Sequence, residues 1–292
     1  MKVLIIFNPT SGTAKRAFVE QVQTELQALG AQVELYLTQA ANDATAYLRA
    51  YQGELDVVAA AGGDGTLNEV INGLSERDNG SYRLALIPTG TTNVLAGELK
   101  IKRHARKLAQ LMVAGKEKPI YAGRINERRF MLMVGVGYDA WVVDEVDLAL
   151  KKKAGKLAYV LSMLKQLPKF GRKRYRFVLD GKEYFANSAV LTNGRLYGGK
   201  FIISTQADLS APTIQVLLLQ AQSMWSLLLS LLGLPIGKME KMPGVVSVPA
   251  REVYVEMLNQ TQREPVQADG DSLAQLPLHL VMENKPLRVL VP

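Results

Sequence analysis

Three short glycine-bearing runs hold most of the chemistry available to this sequence. Ala61-Gly62-Gly63-Asp64-Gly65-Thr66-Leu67-Asn68-Glu69-Val70 follows a buried-type apolar run and opens a helix-type pattern. Glycines there let the backbone turn sharply and approach a ligand, while the first amides of a helix and its dipole favour a phosphate. Asp64 is the odd member, because a carboxylate beside a phosphate cradle repels the ligand unless a cation stands between them; magnesium suits that place. Thr66 and Glu69 have a structural alternative as the two ends of a capping box. The runs Asn8-Pro9-Thr10-Ser11-Gly12 and Pro88-Thr89-Gly90-Thr91-Thr92-Asn93 offer hydroxyls and amides after two further apolar runs. Each alone is an ordinary turn. All three at carboxyl ends of strands in one parallel sheet would converge on a single crevice, where such sheets bind ligands. Neither a P-loop nor a GxGxxG fingerprint occurs. Later in the chain, Asn193-Gly194-Arg195-Leu196-Tyr197-Gly198-Gly199 and Gln267-Ala268-Asp269-Gly270-Asp271 are polar islands between apolar runs. Asp269-Gly270 fits a hairpin turn, and Asp271 is a candidate general base for an attacking hydroxyl.

The elements that must position these groups fall into two rhythms. Up to about residue 120, strands and helices alternate: strands Lys2–Phe7, Gln32–Leu37, Leu55–Ala61 and Arg83–Ile87, with helices Ala14–Leu29, Asp43–Tyr51, Leu67–Leu74, within Asn93–Leu99, and Ala105–Ala114. That alternation predicts a parallel sheet covered by helices. Beyond it, short β-rich runs separated by turn residues predict an antiparallel sandwich or barrel. They are Ile120–Ile125, Arg129–Val136, Tyr175–Leu179, Glu183–Thr192, Phe201–Ser204, Thr213–Gln220, Val245–Pro249, Glu252–Leu258, Glu264–Ala268 and Leu276–Met282. Helical inserts interrupt this half over Asp139–Gln166, broken near Ala154-Gly155, and over Met224–Leu232. The second insert is apolar nearly all round, yet at about ten residues it is half the length a bilayer crossing needs.

With 292 residues the chain has room for one large domain or two ordinary ones, and it contains no cysteine and two histidines. Disulfides, thiolate metal sites and cysteine nucleophiles are excluded, and a reducing compartment is expected. Residues 1–7 lack the features of a signal peptide, which makes the cytoplasm the expected address. The net charge of +8 is unevenly spread: residues 1–99 carry −5, residues 100–176 carry +14 and residues 177–292 carry −1. Lys151-Lys152-Lys153 with Lys156, and Lys169 with Arg172-Lys173-Arg174-Arg176, are the dense clusters. A solvated face accounts for such a run; the concentration suggests an anionic leaflet or polyanion as partner. Sparse aromatics argue against single-stranded nucleic acid.

Taken together, these residues resemble the diacylglycerol-kinase-type lipid kinase family, bacterial branch, which also takes in sphingosine kinases. The motifs stand in the family's order: Asn8-Pro9-x-Ser11-Gly12, Gly62-Gly63-Asp64-Gly65-Thr66-x-x-Glu69, Pro88-x-Gly90-Thr91-x-Asn93, Gly135-Val136-Gly137-Tyr138-Asp139, Asn193-Gly194 with Tyr197-Gly198-Gly199, and Asp269-Gly270-Asp271. The resemblance implies an α/β lobe of the NAD-kinase and phosphofructokinase kind over residues 1–122, a β-sandwich lobe over 123–284, and a strand in 285–292 returning to the first lobe, with ATP in the cleft. It implies that Asn8, Ser11, Gly12, Thr38, Gly63, Asp64, Gly65, Thr66, Leu67, Asn68, Glu69 and Thr91 hold ATP, that Asp64 serves magnesium, and that Asp271 is the catalytic carboxylate. The implied reaction moves the ATP γ-phosphoryl group to a hydroxyl of a membrane lipid, on a peripheral enzyme. Two departures stand out: Val94 where relatives carry an aspartate, and Ser210-Ala211-Pro212-Thr213 where relatives hold a structural magnesium, so that second metal is expected to be absent. A silent nucleotide or lipid sensor and a soluble NAD-kinase-like enzyme are the competing readings. The Met224–Leu234 stretch reads as a core helix, a homodimer contact or a lipid contact.

Overall fold

The computed structural model describes residues 1–12, 16–146, 156–171, 173–221, 223–258 and 263–292, without the side chains of 156–160 and 169. The chain divides into two compact units, Met1–Ala122 with Asn284–Pro292, and Gly123–Glu283.

The first unit runs β1 (Lys2–Phe7), α1 (Arg16–Ala28), β2 (Gln32–Leu37), α2 (Asp43–Ala50), β3 (Val57–Gly62), α3 (Asp64–Gly73), β4 (Arg83–Pro88), α4 (Val94–Glu98), α5 (Ala105–Ala114) and β5 (Lys116–Ile120), and takes in β20 (Leu287–Val291). One sheet results, in the order β2-β1-β3-β4-β20-β5. All its pairings are parallel except β20 with β5. The near-continuous apolar runs of β1 and β3 fit this place, since β3 is buried at every position and α1 packs on α5, α2 on α3. At the edge, β5 reads Lys-Glu-Lys-Pro-Ile, whose charges and proline blunt an otherwise open ladder.

The second unit contains β6 (Gly123–Ile125), β7 (Arg128–Phe130), β8 (Met133–Val136), α6 (Tyr138–Asp144), α7 (Lys156–Gln166), β9 (Tyr175–Leu179), β10 (Lys182–Ala186), β11 (Ser188–Thr192), β12 (Leu196–Tyr197), β13 (Phe201–Ile202), β14 (Ile214–Leu219), α8 (Met224–Leu231), β15 (Val245–Ala250), β16 (Glu252–Met257), β17 (Pro265–Ala268), β18 (Asp271–Gln275) and β19 (Leu278–Met282). It is a β-sandwich of two six-stranded sheets, β10-β9-β16-β19-β6-β7 and β15-β14-β11-β8-β17-β18, with β12-β13 as a separate pair. Alternation of buried and open residues in β9 and β19 marks strands with one covered face, whereas β11 and β14 are buried throughout.

Several boundaries differ from the sequence reading. The run Ile120–Ile125 is two strands, ending β5 and starting β6 on either side of Tyr121-Ala122, and so passes from one sheet to another. Glu183–Thr192 is likewise split at Asn187, whose side-chain amide donates to the carbonyls of Gly171 and Lys173 at 3.3 and 2.7 Å. The helix expected from Leu67 begins three residues earlier, at Asp64. Strand β18 was not anticipated, because Asp-Ser-Leu-Ala-Gln has a weak alternation. The expected break at Ala154-Gly155 lies outside the described residues.

Candidate active site

Because β1, β3 and β4 are adjacent and parallel, their carboxyl ends share one edge, and the three glycine loops meet there in backbone contact. The Asn8 amide donates to Ala61 O at 3.0 Å, and the amides of Thr89 and Gly90 both donate to Gly62 O at 3.1 Å. A Cβ on Gly90 would lie 2.4 Å from Gly63 Cα, and one on Gly12 would lie 2.6 Å from the Thr91 nitrogen. Glycine is therefore required at both, and Gly12 also has φ +51°. Side chains brace the loops: Asn8 Oδ1 accepts from the amide and hydroxyl of Thr10, and Asn93 exchanges two bonds with the Gly90 backbone at 3.1 and 2.7 Å. Helix α3 starts on this edge with Gly63 as an N-cap lacking any side-chain cap. Its first amides face outward from the helix start, an arrangement suited to phosphate.

Asn8, Ser11, Gly12, Gly63, Asp64, Gly65 and Thr91 are brought together here, with Ser11 Oγ 3.4 Å from Thr89 Oγ1. Thr38 lies one strand over on the same edge, buried, its amide donating to Phe7 O at 2.9 Å. Thr66, Leu67 and Asn68 are buried along α3, where Leu67 is core and Asn68 Oδ1 accepts from Asn72 Nδ2 at 3.1 Å. Glu69 is not the partner of Thr66 in a capping box. Its carboxylate accepts the amides of Asn42 at 3.0 Å and Ala44 at 3.2 Å, closing the start of α2, whose own N-cap Asn42 is left-handed and supplies no side-chain bond.

Asp64 has a bond set that sequence reasoning missed. Its two oxygens accept the amides of Val94 at 2.8 Å and Leu95 at 3.2 Å, so the carboxylate stitches the α3 start to the α4 start. Burial pushes its pKa up, and the amides of Val94, Leu95 and Asp64 itself oppose that rise. Those donors offset only part of the cost of burying the charge. No group of three or more His, Asp or Glu suited to a metal occurs among the described residues.

In the second unit, Asp269-Gly270 forms the two-residue turn between β17 and β18, with φ 51° and 89°. The Asp269 carboxylate accepts the amides of Met131, Leu132 and Met133 at 2.7, 2.7 and 3.0 Å. Asp271, two residues on, is exposed at the start of β18. Gln267 links the islands: its side chain accepts from the Gly270 amide at 3.0 Å and donates to Asp139 Oδ2 at 2.6 Å. The Tyr197 hydroxyl donates to the other Asp139 oxygen. Asp139 is buried, which raises its pKa against the pull of those two donors. Nearby, fully buried Glu264 accepts from Lys173 Nζ at 2.7 Å, from the Tyr175 hydroxyl at 3.1 Å and from Trp141 Nε1. A cavity of about 280 Å³ lies beside it, lined by Tyr138, Trp141, Phe170, Lys173 and Tyr175 among others. The sequence signal for this cluster was faint, a single acid opening an apolar strand.

Part of the second basic cluster is therefore internally engaged. Lys173 is paired with Glu264, Arg176 bridges Glu183 and Glu256, and Arg174 stacks over Phe185. Lys151–Lys153 and Arg172, and the side chains of Lys156 and Lys169, lie outside the described residues.

The chain thus joins an α/β unit with three converging glycine loops to a β-sandwich unit that carries an exposed carboxylate at Asp271. Comparison with known proteins agrees. Residues 2–125 match the Diacylglycerol kinase catalytic domain model, and residues 132–291 match the YegS C-terminal NAD kinase beta sandwich-like domain model. A Diacylglycerol kinase of Bacillus subtilis (strain 168) is 38% identical over 61% of this chain and 59% of its own length. One of Staphylococcus carnosus (strain TM300) is 27% identical over 99% of this chain and 94% of its own length. A crystal structure of a diacylglycerol kinase from Bacillus anthracis str. Sterne superposes with a TM-score of 0.80 at 22% identity, covering 100% of this chain and 97% of that one. The chain belongs to the bacterial diacylglycerol-kinase-type family of lipid kinases.

Proposed function

We propose that this protein transfers the γ-phosphoryl group of ATP to a hydroxyl of a membrane lipid of the diacylglycerol kind. The observation that carries the reading is the backbone convergence of the three glycine loops at the start of α3. Triphosphate oxygens need fixed donors and close approach; the uncapped start of α3 offers its first amides, and the close packing of the glycine loops on one another keeps bulky side chains away from that edge. In this reading Asn8, Ser11, Gly12, Thr38, Gly63, Gly65 and Thr91 hold the nucleotide, while Thr66, Leu67, Asn68 and Glu69 fix the helix that presents the amides. Asp64 keeps the second and third loops in register and stands beside the metal. Magnesium, when bound with the nucleotide, neutralises charge on the phosphates. Asp271 accepts the proton of the lipid hydroxyl as its oxygen bonds to the γ-phosphorus and the bond to the ADP oxygen breaks. The names and similarity of the relatives support the lipid acceptor, and no helix among the described residues is long and apolar enough to cross a membrane, which suits a peripheral enzyme. Purified protein incubated with γ-labelled ATP, magnesium and a panel of glycerolipid and sphingoid acceptors tests this. Labelled diacylglycerol-type product is expected. Retained nucleotide binding with no labelled lipid in any class would replace the kinase by a sensor.

A further inference from the structure

Helix α8 has two apolar faces, and only one of them is used by the fold. On the inner face Leu227 is buried, with Met224, Leu228 and Leu231 packed on a cluster that includes Leu217, Leu219 and Met239. The outer face carries Trp225, Leu229, Leu232 and, just past the helix, Ile236, which are 74%, 47%, 63% and 63% exposed. Their spacing places them in one stripe along the helix and its continuation. The support is firm: Ser223 and Ser226 cap the helix reciprocally, Ser230 Oγ donates to Pro243 O at 3.2 Å, and the Lys238 amide donates to Gly233 O at 2.8 Å. An indole and three aliphatic side chains held in water on a rigid support need a covering.

Charge complementarity selects the covering. No charged residue occurs between Asp208 and Lys238 in sequence, so the stripe itself is neutral. Around it Lys200, Lys238 and Lys241 are exposed; Lys200 lies against Phe201, and the side chain of neighbouring Ile202 lies 3.4 Å from where a Cβ on Gly237 would stand. Two acids adjoin these lysines, Glu240 held by the Ser204 and Thr205 hydroxyls and the Thr205 amide and Asp208 by the Ser210 amide, and the three lysines leave the fringe with a net positive charge. An apolar stripe with an aromatic residue and a lysine fringe matches the boundary between acyl chains and anionic headgroups. We propose that α8 with the turn at 233–238 is the anchor by which this protein seats on an anionic bilayer, a partner chosen on the lipid-kinase reading above. The same cluster under α8 includes Tyr138 and Phe170, two walls of the 280 Å³ cavity, so the anchor and that cavity share one apolar support.

Tryptophan quenching by vesicles of phosphatidylglycerol and phosphatidylcholine with brominated acyl chains tests the anchor in the full chain. The protein has two tryptophans, Trp141 and Trp225. A blue shift with quenching is expected in the native protein, and Trp225→Phe should abolish both while Trp141 emission stays unchanged. Leu229→Ser with Leu232→Ser should lower vesicle affinity about tenfold or more, lower transfer to vesicle-borne acceptor in proportion, and leave transfer to detergent-dispersed acceptor within about twofold. Three results would overturn the proposal: vesicle binding without Trp225 quenching, a blue shift that follows protein concentration in the absence of vesicles, or equal loss of transfer in both acceptor forms. Docking is read from quenching, so a failure of wild-type transfer would count against the kinase reading and leave the anchor to be decided by fluorescence.

Discussion

Asp64 and Asp269 each stand in an Asp-Gly pair, the first opening α3 and the second in the turn between β17 and β18, and both carboxylates are held by backbone amides. Asp64 takes two amides from the start of α4, and Asp269 takes three from residues 131–133. Asp271, two residues beyond Asp269, is exposed. The comparison teaches where chemistry resides in each unit. In the first, the acids Asp64 and Glu69 hold the backbone in shape, which on the proposed function leaves ligand contact to backbone amides. In the second, one acid builds the turn so that another can stand clear of it. A carboxylate at such a position is thus assigned by its donors: two or more backbone amides from another segment mark an anchor, and a solvent-facing carboxylate beside such an anchor is the reactive candidate.

The sharpest way to break this contrast is at Asp271. Asp271→Ala should lower kcat by about 10³-fold if it is the general base, with nucleotide affinity within a few-fold and an unchanged melting temperature. Normal turnover in that variant would remove the base assignment and leave the second unit without its proposed reactive acid. At the other unit, Gly90→Ala drives a Cβ into Gly63. Strain of about 1–3 kcal/mol placed on the notch should weaken nucleotide binding by roughly 100-fold at the upper end. Calorimetric titration that found native affinity would mean that the nucleotide does not depend on this contact.

Asp269 should answer in stability and not in chemistry. Asp269→Ala leaves three amides without their acceptor and puts alanine at φ 51°, for a loss of about 2–4 kcal/mol in denaturant unfolding. Asp269→Asn keeps a residue that tolerates the left-handed region and keeps one acceptor oxygen, and should recover about half of that loss. If the alanine variant kept full stability while losing activity, the anchor and the reactive acid would have been assigned the wrong way round.

Much of this was legible from residue order. Strands Lys2–Phe7, Gln32–Leu37 and Tyr175–Leu179 and helix Ala105–Ala114 are found at the bounds read from apolar periodicity, because continuous apolar runs and 3.6-residue patterns survive folding unchanged. The convergence of the three loops was also readable, since parallel strands put such loops on one edge. The partners of Asp64, Glu69, Asp139 and Glu264 were not. Each is satisfied by groups far away in sequence, such as Val94 for Asp64 or Ala44 for Glu69, and local spacing carries no record of a contact made across 25 or 30 residues. The same reason hid the ion pair of Lys173, a member of the second basic cluster: its partner Glu264 lies 91 residues on.

The smallest expected effect concerns Asp64 and turns on sign. Burial raises its pKa above the ordinary 3.8, which means the folded protein disfavours the charged form more than the unfolded chain does, despite three amides. Stability from this group is then fully present below 3.8 and is lost as pH rises through the elevated folded value. Asp64→Asn removes the ionisation and keeps one acceptor for the Val94 or Leu95 amide. The stability difference between wild type and Asp64→Asn should therefore favour wild type most in acid and shrink toward neutrality. If the amides dominated, the folded pKa would lie below 3.8 and the difference would grow with pH instead. Repeating the series with magnesium and ATP sharpens the contrast with Asp269. A metal beside Asp64 favours its charged form, so the ligands should stabilise wild type more than the asparagine variant near neutral pH, whereas Asp269→Asn should show no such ligand-dependent difference.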